Sequence, residues 1–396
     1  MNYNELKNTV FHTAIIGAGA GGLFCAGSFS RSPKVLIEHN THPGRKISVS
    51  GGGKCNFSNR FARATDYACG SKHFVKNALA AFKPQDFVSL LDEAGIKWEE
   101  RKDGQLFAMD ARDIVRFLIP RAREANTQIL TDTQALDIKQ ENGLFVVNTS
   151  AGSIRAQRVV LATGGLSFPA LGASNFGIKI ARQFGLNIIP QRPALVGLTF
   201  EKTLREQLFK LSGNTLNARV SCGEHSFEGS LLFTHEGISG PAVLSASLFW
   251  KEGEKVTVDF LPGEDAHSLL TAQKNTAHTF SAALHGKISA KIAKALLGEL
   301  DDKLPNASRA EIEKAAQLVN RFTFVPAGTG GFSKAEVTAG GIDVREVSPS
   351  TFEARRIPGL YAIGELLDVT GRLGGFNLQW AWSSGFSAAK ALEKLF

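Results

Sequence analysis

Ala14-Ile15-Ile16-Gly17-Ala18-Gly19-Ala20-Gly21-Gly22 runs from an apolar segment into a glycine turn, and its glycines at 17, 19 and 22 fit G-x-G-x-x-G. The flanks give the match weight. The apolar run Thr13 to Ile16 precedes it as a buried parallel strand does. A small-residue helical stretch, Leu23 to Phe29, follows, and then a second apolar strand, Lys34 to Ile37, ends in Glu38. Glu38 lies 21 residues after Gly17, close to the roughly 20-residue spacing of a dinucleotide fingerprint. Each position has a chemical reason. Gly17 permits the tight strand-to-helix turn, Gly19 lets a pyrophosphate approach the backbone, and Gly22 lets helix and strand pack closely. The helix N-terminus offers N–H groups and a positive dipole end to phosphates. Glu38 can accept hydrogen bonds from a ribose diol and repels a 2′-phosphate.

Outward from this motif, residues 13–38 read β-α-β, and residues 39–60 read as a glycine-rich loop. Helical periodicity over Phe74–Ala94 breaks at Lys83-Pro84. Lys97–Phe107 reads as two short strands about the Asp103-Gly104 turn, and Asp110–Asn126 as an amphipathic helix. A meander is expected over Gln128–Thr131, Ala135–Lys139, Phe145–Thr149 and Ser153–Ala156, with an apolar strand, Arg158–Ala162, after it. From about Leu195 the texture becomes all-β, with strands at Val196–Phe200, Ala218–Ser221, Gly229–Phe233 and Lys255–Phe260. From Asp265 to Phe322 it is helical, clearest over Ile288–Leu300 and Arg309–Arg321. The last helix spans about Leu378–Leu395.

The fold class this implies is α/β: a Rossmann-like FAD-type domain split in sequence, with a β section and a helical section inserted. The boundaries read 1–193 plus 325–396, 194–262 and 263–324. Two further turns select FAD over NAD. Val159-Val160-Leu161-Ala162 ends in Thr163-Gly164-Gly165, and Leu360-Tyr361-Ala362-Ile363 ends in Gly364-Glu365. Both place a glycine turn at the carboxyl edge of a parallel sheet, where such sheets bind ligands, and it is their resemblance to stretches of the two-dinucleotide-fold flavoproteins that points to FAD.

Bulk properties narrow the class. A chain of 396 residues with 43% hydrophobic and 21% charged residues is ordinary for a globular protein of two or three domains. No run of 18 apolar residues indicates a membrane span. Met1–His12 lacks the apolar core of a signal peptide, so a cytoplasmic location is expected. Cys25, Cys55, Cys69 and Cys222 form no C-x-x-C, which argues against a dithiol or a zinc site, and no metal is expected. The net charge of +8 and pI near 9.3 suit phosphate-bearing cofactors, anionic substrates or nucleic acid, and equally a merely basic surface. No RNA-binding motif and no signal of oligomeric state is present.

Four longer stretches carry a family resemblance: Ser50-Gly51-Gly52-Gly53-Lys54-Cys55-Asn56-Phe57-Ser58-Asn59, Thr234 to Pro241, Thr338-Ala339-Gly340-Gly341-Ile342, and Gly375-Phe376-Asn377-Leu378-Gln379-Trp380-Ala381-Trp382-Ser383-Ser384-Gly385. Together they resemble the BaiN/YhiN-type family of bacterial FAD-dependent flavoproteins, of the two-dinucleotide-fold superfamily. Lys54 stands where the family pattern usually has Arg. The resemblance implies a three-part flavoprotein, a Rossmann-like FAD-binding domain with an inserted β-barrel-like domain and a small helical domain, whose later Gly-acid turn, here Gly364-Glu365, carries the ribityl and pyrophosphate region. One branch of the family is associated with reducing carbon–carbon double bonds conjugated to a carbonyl. A single fingerprint indicates no second Rossmann domain for NAD(P).

The cofactor-binding set is therefore Gly17, Gly19, Ala20, Gly21, Gly22, Glu38, His39, Arg45, Lys46, Ser50, Gly51, Gly52, Gly53, Cys55, Asn56, Ala135, Thr163, Gly164, Gly165, Gly364, Glu365, Gly375, Asn377 and Leu378. Arg45 and Lys46 are placed to meet a pyrophosphate. Gly374 to Leu378 opens the last helix toward the flavin pyrimidine, with Asn377 a polar handle or an N-cap. Cys55 reads as a reactive or a packed thiol, and His235-Glu236 as a proton-delivering pair or as turn residues. Trp380 and Trp382 are expected to pack on the sheet. The expected activity is that of an FAD-dependent oxidoreductase. It passes hydride from NAD(P)H, a transient reductant, to a small or medium organic acceptor such as a conjugated enone. The alternative is a flavin-containing factor that binds RNA or modifies tRNA.

Overall fold

The computed structural model describes residues 9–395, so the polar N-terminal stretch read above lies outside it as far as Asn8. The chain forms two compact units. One joins Met1–Arg192 to Val337–Phe396, and the other is Pro193–Glu336.

The first unit is built on parallel strands. Val10–Ile16 pairs with Lys34–Ile37 on one side and with Gly152–Leu161 on the other. Lys34–Ile37 pairs in turn with Thr127–Leu130, also parallel. This corrects the expected meander: its first segment leaves the hairpins and joins the far edge of the parallel sheet. Thr127–Leu130 is half polar and only partly buried, and so short an edge strand cannot be told from a meander strand by its pattern. The two strands expected at Ser153–Ala156 and Arg158–Ala162 are one, Gly152–Leu161. Its first half pairs antiparallel with Leu144–Thr149, and its second half pairs parallel with Leu360–Ala362. The segment after residue 337 thus returns to supply a parallel strand, which is why this unit is discontinuous in sequence.

Helices cover the sheet. Ala20–Ala26 follows the glycine turn, Ala111–Glu124 buries Ile114, Leu118 and Ala122 on one stripe, and the last helix spans Phe376–Glu393. Trp382 stacks on Phe87 with ring centroids 4.6 Å apart, and its Nε1 donates to the Phe57 carbonyl at 2.8 Å. Trp380 Nε1 donates to the Gly364 carbonyl at 3.0 Å. Both indoles are buried and packed, because each finds an acceptor for its one polar atom inside the core.

In the second unit the strand order from edge to edge is Phe322–Phe324, Val256–Asp259, Thr215–Cys222, His225–Phe233, Gly237–Ser239, Leu198–Thr199 and Gly328–Thr329. The two edge strands are three residues apart in sequence. Phe324 to Gly328 spans at most about 14 Å, whereas seven flat strands are about 29 Å across. The sheet must therefore curl until its edges approach. Helices Lys202–Leu208 and Pro241–Ser247, unforeseen within the all-β section, belong to this unit. The helical section expected as a separate domain shares one core with the sheet: Ile292, Leu296, Ile312 and Val319 cluster with Val220, Leu231 and Phe233. The return boundary falls at Glu336/Val337 rather than near residue 325.

A buried polar knot links two of the parallel strands. Arg158 Nη1 lies 2.7 Å from His12 Nε2, and His12 Nδ1 lies 2.8 Å from Thr13 Oγ1. Arginine can only donate, so Nε2 accepts and Nδ1 carries the proton. Burial, then the charges of Arg158 and Lys34, pulls the His12 pKa down to about 4. The unfolded chain takes up a proton near 6.5 that the folded chain refuses until about 4. Stability must therefore fall as pH drops through that window, by about 3 kcal/mol. Urea midpoints between pH 7 and pH 4 should fall more steeply for the wild type than for His12→Gln; parallel slopes would remove His12 as the cause.

Candidate active site

The parallel strands end together, and the residues at their carboxyl ends meet along one edge. Gly17 N donates to the Ile37 carbonyl at 2.8 Å, Ala162 N to Ile16 at 2.9 Å, and Ile363 N to Leu161 at 3.1 Å. The turns Gly17–Gly22, Thr163–Gly165 and Gly364–Glu365 are therefore neighbours in space. At Gly17 (φ +103) an added Cβ would sit 2.6 Å from the Ala162 carbonyl oxygen. At Gly22 it would sit 1.9 Å from that of Gly17. No other residue fits either place. At Gly19 an added Cβ would meet nothing within 4 Å, although the helix N-terminus begins there. That space lies in front of the first helical N–H groups, where a phosphate is best stabilised.

Glu38 is 5% exposed and rigidly held. Its Oε2 accepts from Ala18 N at 2.8 Å, and Oε1 accepts from Asn40 N and Nδ2, each at 2.8 Å. A carboxylate anchored beside the glycine turn can still receive a diol on its remaining lone pairs. His39 Nδ1 lies 3.3 Å from Glu38 Oε1. Thr133 N donates to the Glu38 carbonyl, which brings the segment leading to Ala135 alongside. Ala135 itself opens a strand and is buried.

Lys46, in the short helix that begins at Arg45, and Glu365 are joined across 319 residues of sequence. Lys46 Nζ donates to Glu365 Oε2 at 2.8 Å, while Glu365 Oε1 accepts from Thr338 N at 2.8 Å. Thr338 Oγ1 accepts in turn from Leu166 N and Ser167 N. Thr338, in the Thr-Ala-Gly-Gly-Ile stretch, has no signal of its own in the sequence pattern that marks it as part of this edge. It ties the Gly165 turn to the Gly364 turn: a Cβ on Gly165 would lie 2.5 Å from its side chain. Arg45 is engaged by Asn40 Oδ1 at 2.6 Å and is exposed.

The loop Ser50–Asn56 turns through consecutive left-handed residues, Gly51 (φ +57), Gly52 (φ +67) and Gly53 (φ +85), after a short helix from Arg45. Gly52 and Gly53 face open space. Ser50 Oγ donates to the Ile47 carbonyl, so its hydroxyl closes the helix end. The Asn56 amide lies 3.0 Å from Gln105 Oε1, and a Cβ on Gly375 would press on Ser58 and Asn56. This packing sets the glycine loop beside the N-terminus of the last helix.

Three expectations change. Cys55 is fully buried, and burial pushes its thiol up to about 12, so it stays protonated and out of reach of a substrate. Asn377 is neither cap nor free handle. Gly375 caps the helix, and the Asn377 amide clamps the Gly371 peptide, Oδ1 accepting from N and Nδ2 donating to O, each at 2.8 Å. Leu378 offers only its backbone, in the first turn of that helix. His235 and Glu236 lie in the second unit with side chains 72% and 58% exposed and 3.8 Å apart. Thr234 Oγ1 accepts from Glu236 N and Gly237 N, so this segment is a threonine-closed turn. Among the described residues no cluster of His, Cys, Asp or Glu has metal-ligand geometry, and no helix is long and apolar enough to cross a membrane.

Charge is divided between the units. The first carries 30 Lys and Arg against 21 Asp and Glu, and the second 15 against 16, so all of the positive excess resides with the glycine turns. The cradle fits FAD on its own donors and spaces: the open backbone at Gly19, the anchored Glu38, the Lys46 cation, and a buried Thr163 hydroxyl without a partner. FAD bound there supplies the hydride-carrying ring, and the protein supplies binding, orientation and field.

This edge defines the class: an FAD-dependent oxidoreductase. The chain belongs to the HI0933-like Rossmann family, whose model, described as the HI0933-like protein Rossmann domain, matches residues 11–391. It is 41% identical over 393 residues to a ribosomal RNA dihydrouridine synthase of Escherichia coli (strain K12), covering 96% of this chain and 98% of the relative. It is 38% identical over 394 residues to a protein of the same name from Haemophilus influenzae, with 96% and 98% covered. To a 3-dehydro-bile acid delta(4,6)-reductase of Clostridium scindens it is 31% identical over 404 residues, with 95% and 98% covered.

Gly19→Val separates binding from folding, since its side chain enters open space at an extended backbone position. The apoprotein should lose about 1 kcal/mol or less, while flavin absorbance no longer follows the protein through gel filtration. Retained flavin would place the pyrophosphate elsewhere. Cys55→Ala should keep both flavin and turnover, and iodoacetamide should leave Cys55 unlabelled in the native protein by peptide mass spectrometry.

Proposed function

We propose that this protein reduces the C5–C6 double bond of a uridine in ribosomal RNA, drawing hydride from NAD(P)H through its FAD. The carrying observation is the similarity, at 41% and 38% identity over nearly the whole chain, to two relatives named as ribosomal RNA dihydrouridine synthases. The basic excess confined to the flavin-type unit supports a polyanionic substrate. The chemistry agrees with the enone expectation. In uracil the C5–C6 double bond is conjugated to the C4 carbonyl, so hydride adds at C6 and a proton at C5. One NAD(P)H and one proton are consumed, and one NAD(P)+ and one dihydrouridine are formed.

In this reading Gly17, Gly19, Ala20, Gly21 and Gly22 with Lys46 hold the pyrophosphate, and Arg45 lies at its rim. Glu38, His39 and the Ala135 segment take the adenosine. Thr163–Gly165, Gly364 and Glu365 take the ribityl chain. Ser50–Asn56 and the N-terminus of the last helix embrace the ring, where helix N–H groups stabilise negative charge at the pyrimidine. The second reading, reduction of a small conjugated enone, is favoured by the 31% identical bile acid reductase.

The two are separated by anaerobic reoxidation. Flavin reduced with NAD(P)H should be reoxidised by ribosomal RNA from a strain lacking this gene. Nucleoside mass spectrometry should find new dihydrouridine in that RNA. Reoxidation by steroid enones, with RNA inert and dihydrouridine unchanged in the deletion strain, would replace the RNA reading with the small-molecule one.

A further inference from the structure

A cavity of about 320 Å³ lies one residue beyond the Gly165 turn, lined by Leu166, Asn175, Ile178, Lys179, Arg182 and Gln191. It shares its wall with the flavin cradle. Leu166 N donates to Thr338 Oγ1, and a Cβ on Gly177, in the helix Phe176–Gln183, would lie 2.2 Å from Thr163 Oγ1.

The lining is mainly apolar, with polar groups at a few points. Lys179 and Arg182, one turn apart on that helix, are exposed, and neither has a carboxylate partner among the described residues. No acidic residue lines the cavity. Gln191 Nε2 is buried without a partner, and Asn175 starts the helix without using its side chain as a cap. Lysine and arginine only donate, and the orphan amide nitrogen is a donor too. The buried Gln191 donor calls for an acceptor oxygen, and the two exposed cations at the rim call for negative charge, while the apolar wall suits a flat ring.

We propose that this cavity binds the 2′-phosphate end of NADPH; the proposal rests on the reading that a nicotinamide reduces the flavin. The chain has a single dinucleotide fingerprint, already matched to FAD, so a nicotinamide donor must be held by something else. The two sites carry opposite charge signatures. Glu38, in the fingerprint, suits a ribose diol and repels a 2′-phosphate, whereas a cation at the ribose is what accommodates that phosphate. The volume is at the small end of the ~300–1,000 Å³ usual for ligand pockets and suits one phosphorylated nucleoside rather than a whole dinucleotide. A terminal phosphate enters end-on with three free oxygens. A phosphodiester in a strand, substituted on both sides, presents two and suits an open groove.

The test uses the FAD-loaded full chain and two probes, adenosine 2′,5′-bisphosphate and 5′-AMP, titrated by calorimetry, beside anaerobic flavin reduction by NADPH and NADH. The bisphosphate should bind about tenfold or more tightly than 5′-AMP, as expected for one or two charge-assisted hydrogen bonds. In Lys179→Ala/Arg182→Ala that preference should vanish, and the NADPH KM should rise by a similar factor. Flavin content and melting temperature should hold, since both side chains are exposed. Equal binding of the two probes by the wild type overturns the proposal, as does an unchanged NADPH KM in the variant. Loss of ribosomal RNA binding in the variant, with NADPH kinetics unaltered, also overturns it and assigns the cavity to the RNA backbone. If neither nicotinamide reduces the flavin, the donor reading fails, and the calorimetric preference alone still decides whether the cavity takes a 2′-phosphate.

Discussion

The parallel pairing of Val159–Leu161 with Leu360–Ala362 is the constraint on which the site depends. It brings Gly364 and Glu365 beside Thr163–Gly165, and only then can Lys46 and Thr338 reach the Glu365 carboxylate. Almost two hundred residues separate the two strands, so the contact is of high contact order and closes a very long loop. Most of that loop is the second compact unit, which has its own core.

Glycines act at this edge in two distinct ways. At Gly17, Gly22 and Gly165 the neighbouring atoms are so close that a side chain cannot fit, and the residue is fixed by packing. At Gly19, Gly52, Gly53 and Gly364 a Cβ would meet nothing, and the emptiness is a space beside exposed backbone dipoles. The first group sets the positions of strands and helix; the second makes a surface that a polar cofactor can approach. Side chains add sign. The buried carboxylate of Glu38 marks one end, the Lys46–Glu365 ion pair the middle, and the uncompensated cations of Lys179 and Arg182 a neighbouring cavity.

Cys55 and Asn377 show why residue type alone misleads. Each lies in a stretch that carries the family resemblance. Cys55 occupies a left-handed position (φ +50) behind the glycine loop, where burial keeps the thiol neutral. Asn377 holds the Gly371 peptide and so steadies the approach to the last helix. Tyr67 reinforces the same place by donating from its hydroxyl to the Phe376 carbonyl at 2.9 Å. These residues shape the site from behind.

Local pattern was enough to reveal the glycine turn, the Lys34–Ile37 strand, the break at Lys83-Pro84 and the helix over Ala111–Glu124, because each is dictated by periodicity, backbone freedom or proline sterics within a few residues. It was enough also to collect Gly17, Glu38, Gly164 and Glu365 as cofactor candidates, since each lies in or next to a strand-end turn, and Lys46 by its charge in the segment after the second strand. Tertiary structure alone decided that Thr127–Leu130 joins the parallel edge, that residues 194–324 share one core, and that Thr338 ties two turns together. It alone decided that Lys179, Arg182 and Gln191 line one cavity. The physical reason is common to all of these: strand partners, shared cores and cavity walls are contacts between residues far apart in the chain. They are fixed by burial and hydrogen-bond satisfaction over the whole sheet, which no short window of sequence records.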